Sequence, residues 1–320
     1  MTAPQTFVSG AAAQISSYVA HRRARGHMPG GYERDLVRFD RAAAELFPDD
    51  NELTQRMVDS WCAQRPKESP NTRRSRCQAI VALITFLRGR GETDVEPPEL
   101  PRHTDSGYIP HAFTSDELAR LFDELDSWRY SGGPVSAGRR NELVLPVIYR
   151  LIYSAGLRTC EARLLKRSNV DLDSGVMRIV EGKGRNERLV ALHPSMLALA
   201  RKYDRLAEEL VPGRVYFFPN GRDGHLSVDW VSRHFREAWS HVSDEPATPY
   251  MLRHAYAVEN IDRISTEGPV GTEALMPLSK SMGHSTVDVT VSSYYHISAG
   301  LAEAMQRRCG KLDGPIPEVF

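Results

Sequence analysis

Two stretches of helical pattern in this chain are separated by a segment without periodicity, residues 91–113, and this segment limits how the chain can be divided into domains. Its sequence, GETDVEPPELPRHTDSGYIPHAF, is rich in proline, glycine and charge, which is typical of a linker. A chain of 320 residues is long enough for two domains, each with its own core. We therefore expect a first domain over residues 1–92, a linker over 93–111 and a second domain over 112–320.

The first domain is predicted to be helical. Apolar residues recur at helical spacing between Ala11 and Ala24, and they line one face between Tyr32 and Phe47. Two further periodic stretches, Leu53–Gln64 and Asn71–Arg88, complete a pattern of four helices. The first turn of the last helix holds three arginines: Arg73, Arg74 and Arg76.

The second domain is predicted to be mainly α with one small antiparallel sheet. Residues 114–117 form a capping box that begins a helix, and a strongly apolar stretch ends at Gly156, a natural helix terminator. Three short β-prone runs follow, and the last two flank a hairpin turn over residues 182–186. From Ser195 to about Cys309 the pattern is again mostly helical.

The charge distribution leaves binding to nucleic acid open. The chain has 41 basic and 41 acidic residues, whereas a DNA-binding domain usually carries a basic excess. Basic residues are nevertheless concentrated at 73–76 and 139–188, and acidic residues at 92–99 and 116–126. This pattern predicts one basic and one acidic face, and an evenly solvated surface is the alternative.

Several classes of protein are disfavoured by simple patterns. No apolar run approaches the ~20 residues that cross a membrane, and the N-terminal sequence lacks a signal-peptide pattern. We therefore expect a cytoplasmic protein without membrane contact. The four cysteines are scattered and have no metal-ligand spacing, so we expect buried reduced thiols and no metal site.

Four segments of the second domain contain residue types that suit anion binding and proton transfer. They are AGLRTCE around Arg158, the hairpin turn with Lys183, YMLRHA from Tyr250 to Ala255, and MGHS around His284 with Tyr294 and Tyr295 beyond it. An arginine directly after a helix break lies where the next helix N-terminus helps to bind an anion. Each segment alone also fits a simpler explanation, such as a surface ion pair, a solvated turn or a helix cap.

Taken in their order along the chain, these segments resemble the catalytic signature of the tyrosine recombinase, or phage integrase, family. The resemblance spans roughly Phe113 to Ala299, nearly the whole second domain. It implies a helical core-binding domain that contacts DNA, followed by an α+β catalytic domain with a C-terminal helix. It also implies an enzyme that cleaves and rejoins DNA through a covalent 3′-phosphotyrosine, without metal, ATP or other cofactor.

The resemblance assigns a role to each matching residue. Arg158 and Arg253 correspond to the pair that grips the scissile phosphate, and guanidinium groups suit this role because they bind phosphate oxygens bidentately. Lys183 corresponds to the general acid for the departing 5′ oxygen, and His284 to a hydrogen-bond donor to the phosphate. Tyr294 corresponds to the nucleophile.

Two supporting residues and one departure belong to the same comparison. Glu161 corresponds to the acidic residue that orients the basic groups, and His254 to a structural histidine. Tyr250, however, stands where the family usually has histidine or lysine. A phenol can donate a hydrogen bond to phosphate but accepts a proton poorly, so the general base is left open.

The register of the nucleophile is a second departure. Tyr294 lies ten residues after His284, whereas many family members have nine. Tyr295 is the alternative nucleophile, and the Tyr-x-His pattern formed with His296 favours Tyr294.

The resemblance also implies partners and a place of action. The substrate is expected to be double-stranded DNA with inverted core sites. The chain is expected to bind it together with other protomers in a synaptic tetramer, in the cytoplasm at the nucleoid. The residues expected to contact DNA outside the active site are Arg73, Arg74, Arg76 and Arg185. An amphipathic helix predicted at Ser298–Arg308 is expected to dock into a neighbouring protomer.

The biological role is expected to be integration, excision or transposition of a mobile element. Resolution of chromosome or plasmid dimers is the main alternative. A type IB topoisomerase, a DNA-binding relative without catalysis and a purely helical interaction protein are further alternatives. A purely helical interaction protein would not explain the order of the motifs.

Overall fold

The computed structural model describes residues 7–26, 30–104, 110–128, 135–180, 187–221, 224–267, 272–284 and 286–287. The chain forms two compact units, residues 1–108 and 109–320, and each unit has its own hydrophobic core. Within these described ranges, no helix is both long and apolar enough to span a bilayer.

The first unit contains the four predicted helices. They are α1 (Ala12–Ala24), α2 (Gly30–Leu46), α3 (Gln55–Cys62) and α4 (Pro70–Arg88). Their apolar faces meet in a core that includes Tyr18, Phe39, Trp61 and Ile80. The helical periodicity predicts this unit well because the apolar stripe of each helix is buried in this shared core.

The segment predicted as a linker packs onto the first unit as far as residue 104. Val95 is buried in the core of that unit, and Arg74 donates a hydrogen bond of 2.9 Å to the carbonyl of Pro101. The Asn71 side chain exchanges two hydrogen bonds with the backbone of Thr104. Residues 93–104 therefore lack periodicity because they are irregular chain bound to side chains of α3 and α4, and they are not a free linker.

The second unit is mainly helical with one three-stranded sheet, as predicted. Its elements are α5 (Ser115–Ser127), α6 (Val135–Ala155), α7 (Thr159–Leu164), β1 (Val170–Asp171), β2 (Val176–Ile179), β3 (Arg188–Ala191), α8 (Pro194–Leu210), α9 (Val228–Ser240), α10 (Pro249–Glu267) and α11 (Thr272–Met282). A short 3₁₀ turn, Arg167–Asn169, precedes β1.

The sheet is antiparallel, in the order β1-β2-β3, with Met177 of β2 opposite Val190 of β3. Met177 and Val190 both face the core, whereas their neighbours Arg178 and Leu189 are exposed. This alternation follows from the two-residue period of a strand. The sheet thus places the start of β3 next to the end of α11.

Two local predictions about helix ends are confirmed. Thr114 and Glu117 form the predicted capping box at the start of α5. Gly156 follows the end of α6 with a φ of +60°, a backbone region that L side chains avoid.

Candidate active site

The turn between α6 and α7 is shaped by Gly156. A Cβ atom at this position would overlap the ring of Tyr256, so both the positive φ and the close approach require glycine. The turn directs Leu157 into the core and places Arg158 at the N-cap position of α7. Gly156 thereby sets the position of Arg158 relative to α7.

Glu161 lies one turn into α7 and binds back to Arg158. Its carboxylate accepts hydrogen bonds of 2.8 Å from both the backbone amide and Nη1 of Arg158. The Glu161 side chain is 1% exposed. Burial alone would raise the pKa of this carboxyl, but hydrogen bonds from Arg188 and Arg158 hold the pKa below its ordinary value.

Arg188, at the start of β3, is a member of the site that sequence reasoning missed. Its Nη1 and Nη2 atoms donate to the two Glu161 oxygens at 2.9 and 2.7 Å, a bidentate pair. Its Nε atom donates to the carbonyl of Ser281 at 2.6 Å. No sequence motif marks this arginine, because its partners lie 27 and 93 residues away along the chain.

Arg253 is fully buried beneath the same site. Its Nη1 atom donates to the carbonyl of Gly156 at 2.5 Å, and Nη2 donates to the carbonyl of Met282 at 2.8 Å. The Nη1 atom lies 4.0 Å from the nearer Glu161 oxygen. Arg253 is 0% exposed, so it lies in the interior of the unit rather than on the surface of α10.

His284 follows α11 and meets Arg253. The His284 amide donates to the carbonyl of Ser279 at 3.0 Å, and Gly283 has a φ of +67°, so the helix ends with a left-handed glycine. Arg253 Nη2 lies 3.0 Å from Nε2 of His284. Because a guanidinium only donates, Nε2 accepts and the imidazole is neutral.

The electrostatics agree with a neutral His284. Burial, followed by the positive charges of Arg253, Arg158 and Arg188, lowers the pKa of the imidazole to about 4. With Nε2 accepting, the remaining ring proton of a neutral imidazole is on Nδ1, which gives the group a hydrogen-bond donor.

Tyr250 and His254 lie together at the start of α10. Their rings meet edge-on, with centroids 5.0 Å apart. The Tyr250 side chain is exposed and lines a cleft of about 160 Å³ together with Thr159 and Cys160 of α7. Burial, followed by the charge of Arg253, lowers the pKa of His254 to about 4, so this ring is also neutral.

The described part of the chain thus brings four of the predicted residues into one connected cluster: Arg158, Glu161, Arg253 and His284. Tyr250 and His254 lie on the same helix as Arg253. The other predicted groups of this domain, Lys183, Arg185, Tyr294 and Tyr295, lie outside the described residues, as does the predicted helix at Ser298–Arg308. Their roles stay predictions.

The three arginines of the first unit that are predicted to contact DNA make hydrogen bonds within that unit. Arg76 is 8% exposed, and its guanidinium binds both Glu68 oxygens, at 2.8 and 2.7 Å, and the carbonyl of Ala63. Arg73 donates to the carbonyl of Cys62 at 2.9 Å, and Arg74 donates to the 93–104 segment. This arrangement gives Arg76 a structural role, and DNA contact stays a prediction for Arg73 and Arg74.

The cluster can bind a phosphate-like anion. Three guanidinium groups, those of Arg158, Arg188 and Arg253, surround a single carboxylate, so the site retains positive charge. Guanidinium groups fixed in place by backbone carbonyls can stabilise charge that develops on phosphate oxygens without reorganising.

Comparison with known proteins agrees with this geometry. The model of the phage integrase family matches residues 111–300. A putative integrase/recombinase, y4qK, of Sinorhizobium fredii is 30% identical over 65% of this chain, and the match spans 61% of that protein. The tyrosine recombinase XerD of Rhizobium meliloti is 26% identical over 87% of each chain.

The fold is shared with a solved recombinase. The XerH site-specific recombinase, bound to palindromic difH substrate in a post-cleavage complex, superposes with a TM-score of 0.59 and 18% identity. That superposition covers 88% of this chain and 79% of XerH. The family match over more than half of the chain identifies the protein as a member of the phage integrase family of tyrosine recombinases.

Proposed function

We propose that this chain is a site-specific DNA recombinase that cleaves and rejoins strands through a 3′-phosphotyrosyl intermediate on Tyr294. The observation that carries the proposal is the pairing of two guanidinium groups on one turn. Arg253 binds the carbonyl of Met282 at 2.8 Å, and Arg158 binds the next carbonyl, that of Gly283, at 3.1 Å. Neighbouring carbonyls thus hold the two cations side by side, next to His284.

This arrangement suits the charge that strand cleavage develops. Attack on a phosphodiester builds negative charge on the two non-bridging oxygens, and preorganised guanidinium groups stabilise that charge. Arg158 Nη1 and Nη2 are already oriented by Glu161 and Gly283. A neutral His284 adds a hydrogen bond to the phosphate without being repelled by Arg253.

The covalent step conserves the phosphodiester energy. The phenolic oxygen of Tyr294 forms a bond to phosphorus and loses its proton, while the bond to the 5′ oxygen breaks and Lys183 protonates that oxygen. A 5′ hydroxyl from a partner strand then attacks the phosphotyrosine and releases Tyr294. Because the bond count is unchanged, the cycle needs no ATP, and the arginines supply the charge stabilisation that a metal provides elsewhere.

Tyr250 has a distinct part in the proposal. Its side chain is exposed and lines a cleft with the start of α7, and its ring packs edge-on against that of His254. We assign it a hydrogen bond to the scissile phosphate, in the place where relatives usually carry histidine. The acceptor of the Tyr294 proton stays open.

The substrate is proposed to be double-stranded DNA with inverted core sites, held by a synaptic tetramer in the cytoplasm at the nucleoid. XerH was crystallised with a palindromic substrate, which supports a two-fold symmetric site. In this proposal the helical first unit serves as the core-binding domain. Arg73, Arg74 and Arg185 contact the DNA. The helix predicted at Ser298–Arg308 links protomers.

Movement of a mobile element, by integration, excision or transposition, is the proposed biological role. Similarity to a putative integrase/recombinase supports it. Resolution of chromosome or plasmid dimers is the second candidate, favoured by similarity to XerD over 87% of both chains. The two roles predict different DNA target sites. A mobile-element recombinase acts at the ends of the element, whereas a dimer resolvase acts at a single locus of the chromosome or plasmid.

A selection for covalent complexes tests the proposal. Purified protein is incubated with a library of duplexes that carry a randomised core and a nick in one strand, so that a cleaved fragment diffuses away. Complexes that survive denaturant are sequenced, together with DNA that flanks the gene. We expect inverted repeats to be enriched, and recovery of no covalent complex from either source would contradict the proposal.

A further inference from the structure

Arg188 connects three separate segments of the second unit. It binds Glu161 in α7 through two hydrogen bonds and Ser281 at the end of α11 through a third, and it is itself the first residue of β3. The Arg188 side chain is 8% exposed, so these contacts are made largely away from water.

The guanidinium of Arg188 also packs against the turn that carries His284. A Cβ atom on Gly283 would lie 2.9 Å from Nη1 and 3.2 Å from Cζ of Arg188. Glycine at this position therefore lets the guanidinium lie flat against the backbone. The turn that holds Arg158 and Arg253 by its carbonyls is in this way supported from below by Arg188.

The charges show what this contact does. Glu161 is a buried carboxylate that faces three guanidinium groups, and Arg188 alone offers it a bidentate fork. A buried carboxylate that loses one cationic partner is left with uncompensated charge, and it then pairs more strongly with the cations that remain beside it. In the absence of Arg188, those cations are Arg158 and Arg253, the two that bind the phosphate in the proposed function.

We propose that Arg188 is a positioning residue for DNA cleavage: it neutralises Glu161, so that Arg158 and Arg253 keep their charge for the scissile phosphate, and it fixes the Ser281–His284 turn. This inference rests on the proposed function. All three of the described Arg188 hydrogen bonds are made to Glu161 and Ser281, so the proposed role acts through these two residues.

The conservative change to lysine distinguishes this role from simple charge. A lysine has a single ammonium group and cannot bind both Glu161 oxygens and the Ser281 carbonyl in the planar geometry of a guanidinium. Arg188→Lys should therefore keep the charge but lose the fork, and its cleavage rate should lie between those of the wild-type protein and Arg188→Gln.

The test measures single-turnover formation of the covalent complex on a nicked duplex recovered by the selection described above, at saturating DNA. For Arg188→Gln we expect a rate about 100-fold below wild type, with a much smaller change in DNA affinity. Adding Glu161→Gln to this variant removes the unneutralised carboxylate, so the double variant should be about tenfold faster than Arg188→Gln. A merely structural role predicts no such rescue.

Arg178→Gln is the matched control. Arg178 lies on the neighbouring strand β2 and makes an exposed ion pair with Glu187, so its loss should leave the rate within about twofold of wild type. Circular dichroism and thermal melting verify the fold of each variant. If Arg188→Gln does not fold, Arg188→Lys replaces it, and a wild-type rate for Arg188→Lys contradicts the inference.

The outcomes separate the inference from the proposed function. Absence of a covalent complex with wild-type protein overturns the proposed function, and the inference with it. A wild-type protein that reacts while Arg188→Gln reacts equally fast overturns the inference alone. A double variant no faster than Arg188→Gln does the same.

Discussion

Arg253 and His284 are joined by a hydrogen bond of 3.0 Å from the guanidinium to Nε2 of the imidazole. The bond exists only while Nε2 is unprotonated, because a guanidinium cannot accept. It therefore couples Arg253, which is proposed to bind the scissile phosphate, to the protonation state of the neighbouring ring. Burial, followed by the charge of the same arginine, also lowers the pKa of His254, which follows Arg253 in the chain.

This coupling predicts how stability depends on pH. Both His254 and His284 have a folded-state pKa of about 4, below the ordinary value of 6.5. Above pH 6.5 the rings are neutral in both states and cost nothing. As the pH falls from 6.5 towards 4, the unfolded chain binds protons that the folded chain refuses, so the free energy of unfolding should decrease.

Urea denaturation between pH 7.5 and 4.5 measures this dependence. A His284→Gln variant removes one of the two groups and should lose part of the slope between pH 6.5 and 4.5. An imidazole resonance of His284 that titrates near 6.5 in the folded protein would contradict the prediction directly.

Gly156→Ala is predicted to be strongly destabilising. The substitution combines a φ of +60° with overlap between the new methyl group and the Tyr256 ring, and we expect a loss of about 3 kcal/mol. Gly213→Ala is the matched control, because Gly213 has a similar φ of +69° and open space around it. The control should lose only about 1 kcal/mol, the cost of the backbone conformation.

Thermal or urea melting of the two alanine variants separates the two contributions. Equal losses for Gly156→Ala and Gly213→Ala would show that the Tyr256 contact does not constrain the turn. Cleavage should fail in Gly156→Ala even where the protein folds, because the carbonyl of Gly156 holds Arg253.

Tyr250→Phe tests the hydroxyl that is proposed to bind the scissile phosphate. If that hydroxyl donates to the charged phosphate, its removal should slow formation of the covalent complex about tenfold. Thermal stability should hardly change, because the side chain is 41% exposed. Val228→Ala in the same cleft is the control and should cleave at the wild-type rate.

Arg76→Ala should destabilise the first unit. Removing Arg76 leaves the Glu68 carboxylate, which is 7% exposed in this pair, without its bidentate partner, and we expect a loss of about 2 kcal/mol. Arg38→Ala, which removes a side chain that is 64% exposed and lies 3.8 Å from Asp35, should leave the melting temperature nearly unchanged. Equal melting temperatures for the two variants would contradict the structural role of Arg76.

The sequence predicts the helices and the sheet because these depend on local signals. It indicates Arg158, Glu161, Arg253 and His284 only through the order of their segments along the chain, which resembles the family signature. Helical periodicity, a capping box and glycine at helix ends act over a few residues. Arg188 could not be recognised in this way, since its role comes from contacts with Glu161 and Ser281 across the fold. Arg76 did carry a signal, because it lies four residues before the buried Ile80 on one face of α4.

The packing of residues 93–104 was also beyond the sequence pattern. These residues are held by backbone hydrogen bonds to the side chains of Gln55 and Asn71, as well as by Arg74. An amide side chain gives no indication of which distant backbone it will bind. A segment rich in proline therefore looks like a free linker although it is fastened to the first unit.

The most direct test of the account is to identify the tyrosine that becomes attached to DNA. The covalent complex formed on a nicked duplex is digested, and the peptide that carries the nucleotide adduct is sequenced by mass spectrometry. The account predicts an adduct on Tyr294, abolished in Tyr294→Phe and retained in Tyr295→Phe. An adduct on Tyr295, or one that persists in Tyr294→Phe, would contradict it.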